Sequence, residues 1–337
     1  MEQALQCAGL FSCLFLDLID NNSMTYRILN TIGEGFDPAA KEILNTLGTV
    51  DYTIPTQEEL VNKIKDYDIA FIGLGLTFHP QVIDAAPKLK TIVTATTGLD
   101  HIDVKYAEQK GIKVLSLKGE DAFLNTITGT AELALALMIS IARNIPQSIE
   151  AVLKGEWDRE SFKGHSLHGK TLGVVGLGRL GKWMARYGQA MGKKVIFTDP
   201  NMESDTYKKV SFAELLAQSD VISIHVHLTP ETEYMFNAAT FSKMKPNAYL
   251  VNTSRGKLVN ETDLIDALEK KIIAGYATDV LDGETSFAGT KIGSHPLAEY
   301  AKKNRNLLIV PHIGGMTHES RRDTDVFMAE KLKKNIV

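Results

Sequence analysis

Six residues constrain this chain more than any others: Gly176-Leu177-Gly178-Arg179-Leu180-Gly181. They follow an apolar run over 171–175 and open into a helical pattern over 182–191, and a second apolar run over 195–198 ends at Asp199. Strand, glycine turn, helix, strand and terminal acid together make a complete dinucleotide-binding βαβ unit. Chemistry explains the spelling. Gly176 makes the tight turn, Gly178 lets the backbone approach a pyrophosphate, and Gly181 permits close packing of helix on strand. The helix N-terminus then offers unpaired N–H groups to the phosphates. A carboxylate at Asp199 can accept hydrogen bonds from the adenosine ribose hydroxyls and would repel a 2′-phosphate, and Pro200, Asn201 and Met202 supply no arginine to hold one. NAD is therefore expected in preference to NADP.

The chain has 337 residues, 44% hydrophobic and 23% charged, enough for two ordinary soluble domains and unlike a disordered or fibrous protein. Its net charge of −4 arises without any long single-sign block, so no nucleic-acid partner is expected. Cys7 and Cys13 are the only cysteines, which excludes a disulfide framework or a cysteine metal site, and no metal is expected. The apolar stretch over 8–19 is short, is broken by Asp17 and follows Glu2 rather than basic residues. It reads as part of an extension over residues 1–23 outside the fold, not as a signal peptide or membrane span. A cytoplasmic protein without membrane partners is the expectation.

Between 26 and 117, short apolar runs alternate with helical ones, with strands expected at 26–29, 69–72, 91–95 and 114–116. The nearly all-apolar run over 130–143 reads as a buried helix crossing between domains. Further strands are expected at 221–225, 248–252, 274–278 and 307–310, and a last helix at 319–334 returns to the first domain. The fold class is α/β, with two Rossmann-like, doubly wound parallel-sheet domains. Residues 24–125 and 313–337 form a substrate domain, 126–312 an NAD-binding domain, and the active site lies in the cleft between them.

Three segments at expected strand ends carry reactive side chains: Asn252 to Gly256, Asp279 to Glu284 and Pro311 to Gly315. Ligands of open α/β sheets bind beyond the carboxyl ends of strands, so Arg255, Glu284 and His312 can converge there. Interconverting an alcohol and a ketone needs a group that moves the hydroxyl proton, and histidine suits that near neutral pH. A carboxylate beside it stabilises imidazolium, and an arginine grips a substrate carboxylate with two parallel hydrogen bonds.

With Ala95 to Asp103, His225 to Thr232 and Ala277 to Glu284 added, these motifs resemble the NAD-dependent D-isomer-specific 2-hydroxyacid dehydrogenases, phosphoglycerate dehydrogenases among them, in order from about Met24 onward. The resemblance implies His312 as proton donor or acceptor, Glu284 as its partner and Arg255 as substrate clamp. It implies Arg179 and Leu180 at the pyrophosphate, Val226, His227 and Thr232 along the cofactor, and Thr253, Ser254, Asp279 and the Gly314 backbone toward the nicotinamide. Leu74, Gly75, Gly98 and Leu99 are implied as backbone donors to a substrate carboxylate. A homodimer built mainly through the cofactor domains is implied as well.

This chain departs from the family pattern at His227 and Thr285, where proline is usual, and lacks near Ile72-Gly73-Leu74 the arginine of many phosphoglycerate-type members. A small D-2-hydroxy acid and its 2-oxo acid are the expected substrate pair. The alternatives are a phosphite-type oxidoreductase on the same scaffold, or an NAD-sensing, corepressor-like protein without turnover.

Overall fold

Runs such as Ile69–Ile72, Val221–Ile224 and Gly275–Thr278 are buried along their whole length, the pattern of parallel strands covered on both faces. The structure is a computed structural model that describes residues 25–284, 287 and 291–336; the expected extension over 1–23 and Thr285 lie outside the described residues. The first unit runs β1 Tyr26–Asn30, α1 Pro38–Asn45, β2 Gly48–Tyr52, α2 Gln57–Lys63, β3 Ile69–Ile72, α3 Pro80–Asp84, β4 Thr91–Thr94, α4 Val104–Gln109 and β5 Lys113–Leu115. A crossover follows through α5 Asp121–Leu124, α6 Gly129–Ala142 and α7 Ile145–Leu153. The second unit comprises β6 Thr171–Val175, α8 Arg179–Ala190, β7 Lys194–Thr198, β8 Lys208–Lys209, α9 Phe212–Gln218 and β9 Val221–Ile224. It continues through α10 Ala238–Phe241, β10 Tyr249–Asn252, α11 Glu261–Glu269, β11 Gly275–Thr278, α12 Pro296–Ala301 and β12 Leu307–Ile309, and α13 His318–Ile336 ends the chain.

The strands form two parallel sheets, ordered β2-β1-β3-β4-β5 and β12-β11-β10-β9-β6-β7-β8. Each order reverses once, between β1 and β3 and between β6 and β9, and such switch points leave crevices at the carboxyl ends of the strands. The helix α6 packs its Ala134, Leu137, Met138 and Ile141 into the core of the second sheet. The last helix returns to the first sheet, where Met328, Ala329 and Leu332 are fully buried with Ile28, Leu44 and Phe71. Burying a side chain the size of Leu332 contributes about 1.5–3 kcal/mol, and Phe327 stacks on Phe123 at 4.1 Å to pin the same helix beside the crossover.

Several elements differ from the sequence expectation. The strand β2 and helix α2 carry too few apolar residues for periodicity to reveal them; α2 is set instead by a capping box between Thr56 and Glu59. Helix α10 starts at Ala238, because the Asn237 side chain caps the N–H groups of Ala239 and Thr240. Asp37 as cap with Pro38 at the first helical position likewise fixes the start of α1.

Candidate active site

The glycine turn sits at the switch point of the seven-stranded sheet. Gly176 has φ +89°, a left-handed conformation that favours glycine, and its N–H donates to the Thr198 carbonyl at 2.9 Å. A Cβ at Gly181 would overlap the Gly176 carbonyl oxygen, whereas a Cβ at Gly178 would have no neighbour within 4 Å. The turn is thus closed behind and open in front, a backbone cradle suited to a diphosphate. Two buried polar atoms, Thr253 Oγ1 and His225 Nδ1, have no partner among the described residues, and both residues line the same cleft. The residues present fit a dinucleotide.

Asp199 ends β7, and its carboxylate is already engaged. Its Oδ2 accepts from Leu177 N at 2.8 Å, and Oδ1 accepts from Asn201 N at 2.8 Å and Met202 N at 3.1 Å. A carboxylate offers about four acceptor positions, so one remains for a ribose hydroxyl. Arg179 donates through Nη1 to the carbonyls of Leu124, at 3.1 Å, and Ile127, tying the first turn of α8 to the crossover. Thr232 turns inward on its own loop, donating to the His227 carbonyl at 2.7 Å.

A cleft of about 800 Å³ runs past both switch points. The residues it brings together include Leu74, Gly98, Leu99, Gly178, Arg179, Leu180, Val226, His227, Thr253, Ser254, Arg255, Asp279, His312 and Gly314. Gly75, Gly176, Gly181, Asp199, Thr232 and Glu284 do not line it.

His312 Nδ1 lies 2.7 Å from Glu284 Oε1, which leaves Nε2 as the ring nitrogen open to the cleft. The residue has φ +53°, unusual for a non-glycine, and is held there by hydrogen bonds from its N–H to the carbonyls of Asp279 and Val310. Burial works to lower the His312 pKa, but the hydrogen bond and charge of Glu284 and the charge of Asp279 outweigh it, against the opposing Arg255, and the net shift is upward. Burial also pushes the Asp279 carboxyl up to about 6, although it accepts from Ile313 N at 2.6 Å and Gly314 N at 2.8 Å.

Arg255 reaches across the cleft. Its Nε donates to both oxygens of Asp100, at 3.1 and 3.2 Å, and Nη1 donates to the Ser254 carbonyl at 2.9 Å. Its Nη2 lies against Gly98, where a Cβ would displace the guanidinium. Asp100 was not singled out in the sequence reading; its only signal is an acid two residues after a glycine, beyond an apolar strand. His225 was also missed: it is half-buried with Nε2 2.8 Å from Ser223 Oγ, and loss of solvent around the ring lowers its pKa to about 4, so it is neutral. Lys118, Ser320, Arg321 and Thr324 line the cleft as well. Among the described residues no group of histidines, cysteines and acids could hold a metal ion.

The chain is similar in sequence and fold to several known proteins. Residues 135–314 match the model of the D-isomer specific 2-hydroxyacid dehydrogenase, NAD binding domain. The chain is 36% identical over 302 residues to a D-3-phosphoglycerate dehydrogenase of Methanocaldococcus jannaschii, covering 88% of this chain and 55% of that protein. It is 34% identical to a glyoxylate reductase of Thermococcus litoralis, covering 85% of each. The chain thus spans about half the length of the phosphoglycerate dehydrogenases it matches. Its fold is similar to that of a D-lactate dehydrogenase from Aquifex aeolicus complexed with NAD and lactic acid, with a TM-score of 0.81, 27% identity and coverage of 92% of this chain and 95% of that one.

Proposed function

The chain belongs to the D-isomer specific 2-hydroxyacid dehydrogenase family, and from that premise we propose that it interconverts a small D-2-hydroxy acid and its 2-oxo acid with NAD as cofactor. The observation that carries this reading is that His312, backed by Glu284, and Arg255 meet in one cleft in front of the glycine turn. When bound, the nicotinamide donates or accepts the hydride. The Gly178 backbone, Arg179 and Leu180 would hold the pyrophosphate, Asp199 the ribose, and Thr253 and Asp279 the nicotinamide end.

In the reducing direction, His312 Nε2 gives a proton to the oxygen of the substrate carbonyl, and in the oxidising direction it takes the proton back. Glu284 fixes the ring through Nδ1 and favours its protonated form, the form a donor needs. Arg255, oriented by Asp100, presents its remaining N–H groups to the substrate carboxylate. The loop at Gly98 and Leu99 and the turn at Leu74 and Gly75 close the other side.

The proposed division is a substrate domain over 24–125 and 313–337 and an NAD-binding domain over 126–312, which follows the grouping of the strands into two sheets. A homodimer is proposed through α7 and the loop after it, where Leu153 is 82% and Trp157 90% exposed beside exposed Ile149 and Val152. A cytoplasmic setting is proposed: although 121–142 is long and apolar enough to span a bilayer, α6 faces the protein core with the side chains named above.

The test is the handedness of the product. Purified protein with NADH and a 2-oxo acid is expected to yield the D-2-hydroxy acid on chiral chromatography; an L product would refute the proposal.

A further inference from the structure

The turn that carries Glu284 is held from behind by three side chains that do not line the cleft. All three act on Asp282. Its N–H donates to Glu261 Oε1 at 2.9 Å, its carbonyl accepts from His295 Nε2 at 3.2 Å, and its Oδ2 accepts from the Tyr234 hydroxyl at 2.7 Å. Glu261 opens α11, His295 immediately precedes α12, and Tyr234 lies in the loop after β9, where it adopts φ +50°. Glu261 and His295 also face each other, Oε2 to Nε2 at 3.3 Å, with side chains only 15% and 10% exposed. The Phe287 ring covers His295 at 5.7 Å. On the opposite side, Gly256 lies so close to the Leu281 and Asp282 backbone that no Cβ would fit. The turn is clamped between the residue after Arg255 and this buried pair.

Glu284 depends on that clamp. Its Oε1 meets His312 and its Oε2 accepts from Leu281 N at 3.1 Å, within its own turn, so the aim of the carboxylate follows the turn wherever it moves. A buried acid–imidazole pair is costly to desolvate and is weak as a source of stability. Burial raises the Glu261 pKa, against the Asp282 N–H and the His295 charge and with the charges of Asp282 and Glu284. A pair so placed, with every further bond directed at one residue of a catalytic turn, is suited to fixing position.

We infer that the Glu261–His295 pair is a positioning element for Glu284, which it keeps on His312 by fixing the Leu281–Glu284 turn through Asp282. Its effect on rate rests on the dehydrogenase reading; its effect on the titration of His312 needs no substrate. The charged groups facing His312 are Glu284, Asp279 and Arg255, and of these Glu284 alone rides on the turn.

The experiment compares His295→Leu, Glu261→Leu and His295→Gln in the full chain, because a glutamine amide can still donate to the Asp282 carbonyl. The His312 titration midpoint is followed by NMR, alongside kcat, KM and NADH affinity. Both leucine variants are expected to move the midpoint downward and cut kcat about 10- to 100-fold, with KM and NADH affinity within about twofold and His295→Gln recovering most of the loss. Folded leucine variants with an unchanged midpoint and kcat would overturn the inference, as would His295→Gln behaving like His295→Leu. If the leucine variants do not fold, Glu261→Asp takes their place, because the shorter side chain draws its carboxylate back from the Asp282 N–H, with a smaller downward shift and a kcat loss of about threefold expected from one lost hydrogen bond; a midpoint and kcat that both stay unchanged overturn the inference. A midpoint that moves in a protein turning over no 2-oxo acid supports the positioning and sinks the reaction, whereas turnover with an unmoved midpoint does the reverse.

Discussion

Alanine at two neighbouring glycines separates what the fold needs from what the cofactor needs. At Gly181 the added Cβ overlaps the Gly176 carbonyl oxygen and comes within 3.2 Å of Val174 Cγ1. Neither neighbour is the loose end of a flexible side chain, so the start of α8 must retreat from β6 by about 1.5 Å to reach ordinary contact. Overpacking of this kind costs about 3 kcal/mol, which for a domain of this size lowers Tm by roughly 6–12 °C. The same retreat moves the helix N-terminus away from its ligand, and a 1 Å misplacement is worth about 100-fold. Gly178→Ala meets nothing within 4 Å and has φ −69°, ψ −160°, which alanine adopts without strain. It is expected to leave Tm within about 1 °C. Its methyl nevertheless occupies the approach to the pyrophosphate, and NADH affinity should fall at least about tenfold. Calorimetric unfolding and fluorescence titration with NADH read the two effects separately. Equal Tm losses in both variants, or wild-type NADH affinity in Gly178→Ala, would refute the reasoning.

His312→Ala is expected to cut turnover by about 10²–10⁴-fold while NADH still binds, since proton transfer and cofactor docking use different groups; lost NADH binding with retained turnover would contradict it. Asp199→Ala should relax the preference for NAD over NADP and also lower stability by about 1–3 kcal/mol, because Leu177, Asn201 and Met202 each lose an acceptor, and unchanged discrimination in steady-state assays would assign it to another residue. Burial raises the pKa of Asp325 to about 6, so the folded state keeps a proton that the unfolded chain has already released. That contribution is fully present below about pH 4 and is lost as pH rises through about 6; Asp325→Asn should remove about 3 kcal/mol of this pH dependence in urea titrations, and an unaltered slope would count against it. Leu153→Asp combined with Trp157→Asp is expected to yield a monomer by light scattering, and a persistent dimer would move the interface elsewhere.

The glycine turn was legible because each glycine answers a separate steric demand, and the central strands of the second sheet because both of their faces are buried, whereas the exposed edge strand β8 at Lys208–Lys209 carries no apolar run and was not. What escaped reading depends on contacts between distant segments. Nothing in the neighbourhood of Asp100 announces that it will meet Arg255, 155 residues away. Asp199 was visible as a ribose partner, and its bonds to Asn201 and Met202 are local to the turn, but its bond to Leu177 arises only when β6 and β7 lie side by side. Arg179 suggested a phosphate contact, while its bonds to Leu124 and Ile127 depend on where the crossover passes. His312 was identified by residue type and place; its left-handed backbone is imposed by Asp279 and Val310, which no local pattern encodes.

On the proposed function, one cleft unites hydride chemistry with proton transfer on a 2-oxo acid. The most direct test is the oxidation of NADH, followed optically, against glyoxylate, hydroxypyruvate, pyruvate, longer 2-oxo acids and 3-phosphohydroxypyruvate. Turnover of at least one of these acids by the wild-type protein is the expected result. Silence across the whole panel from a protein that demonstrably binds NADH would contradict it.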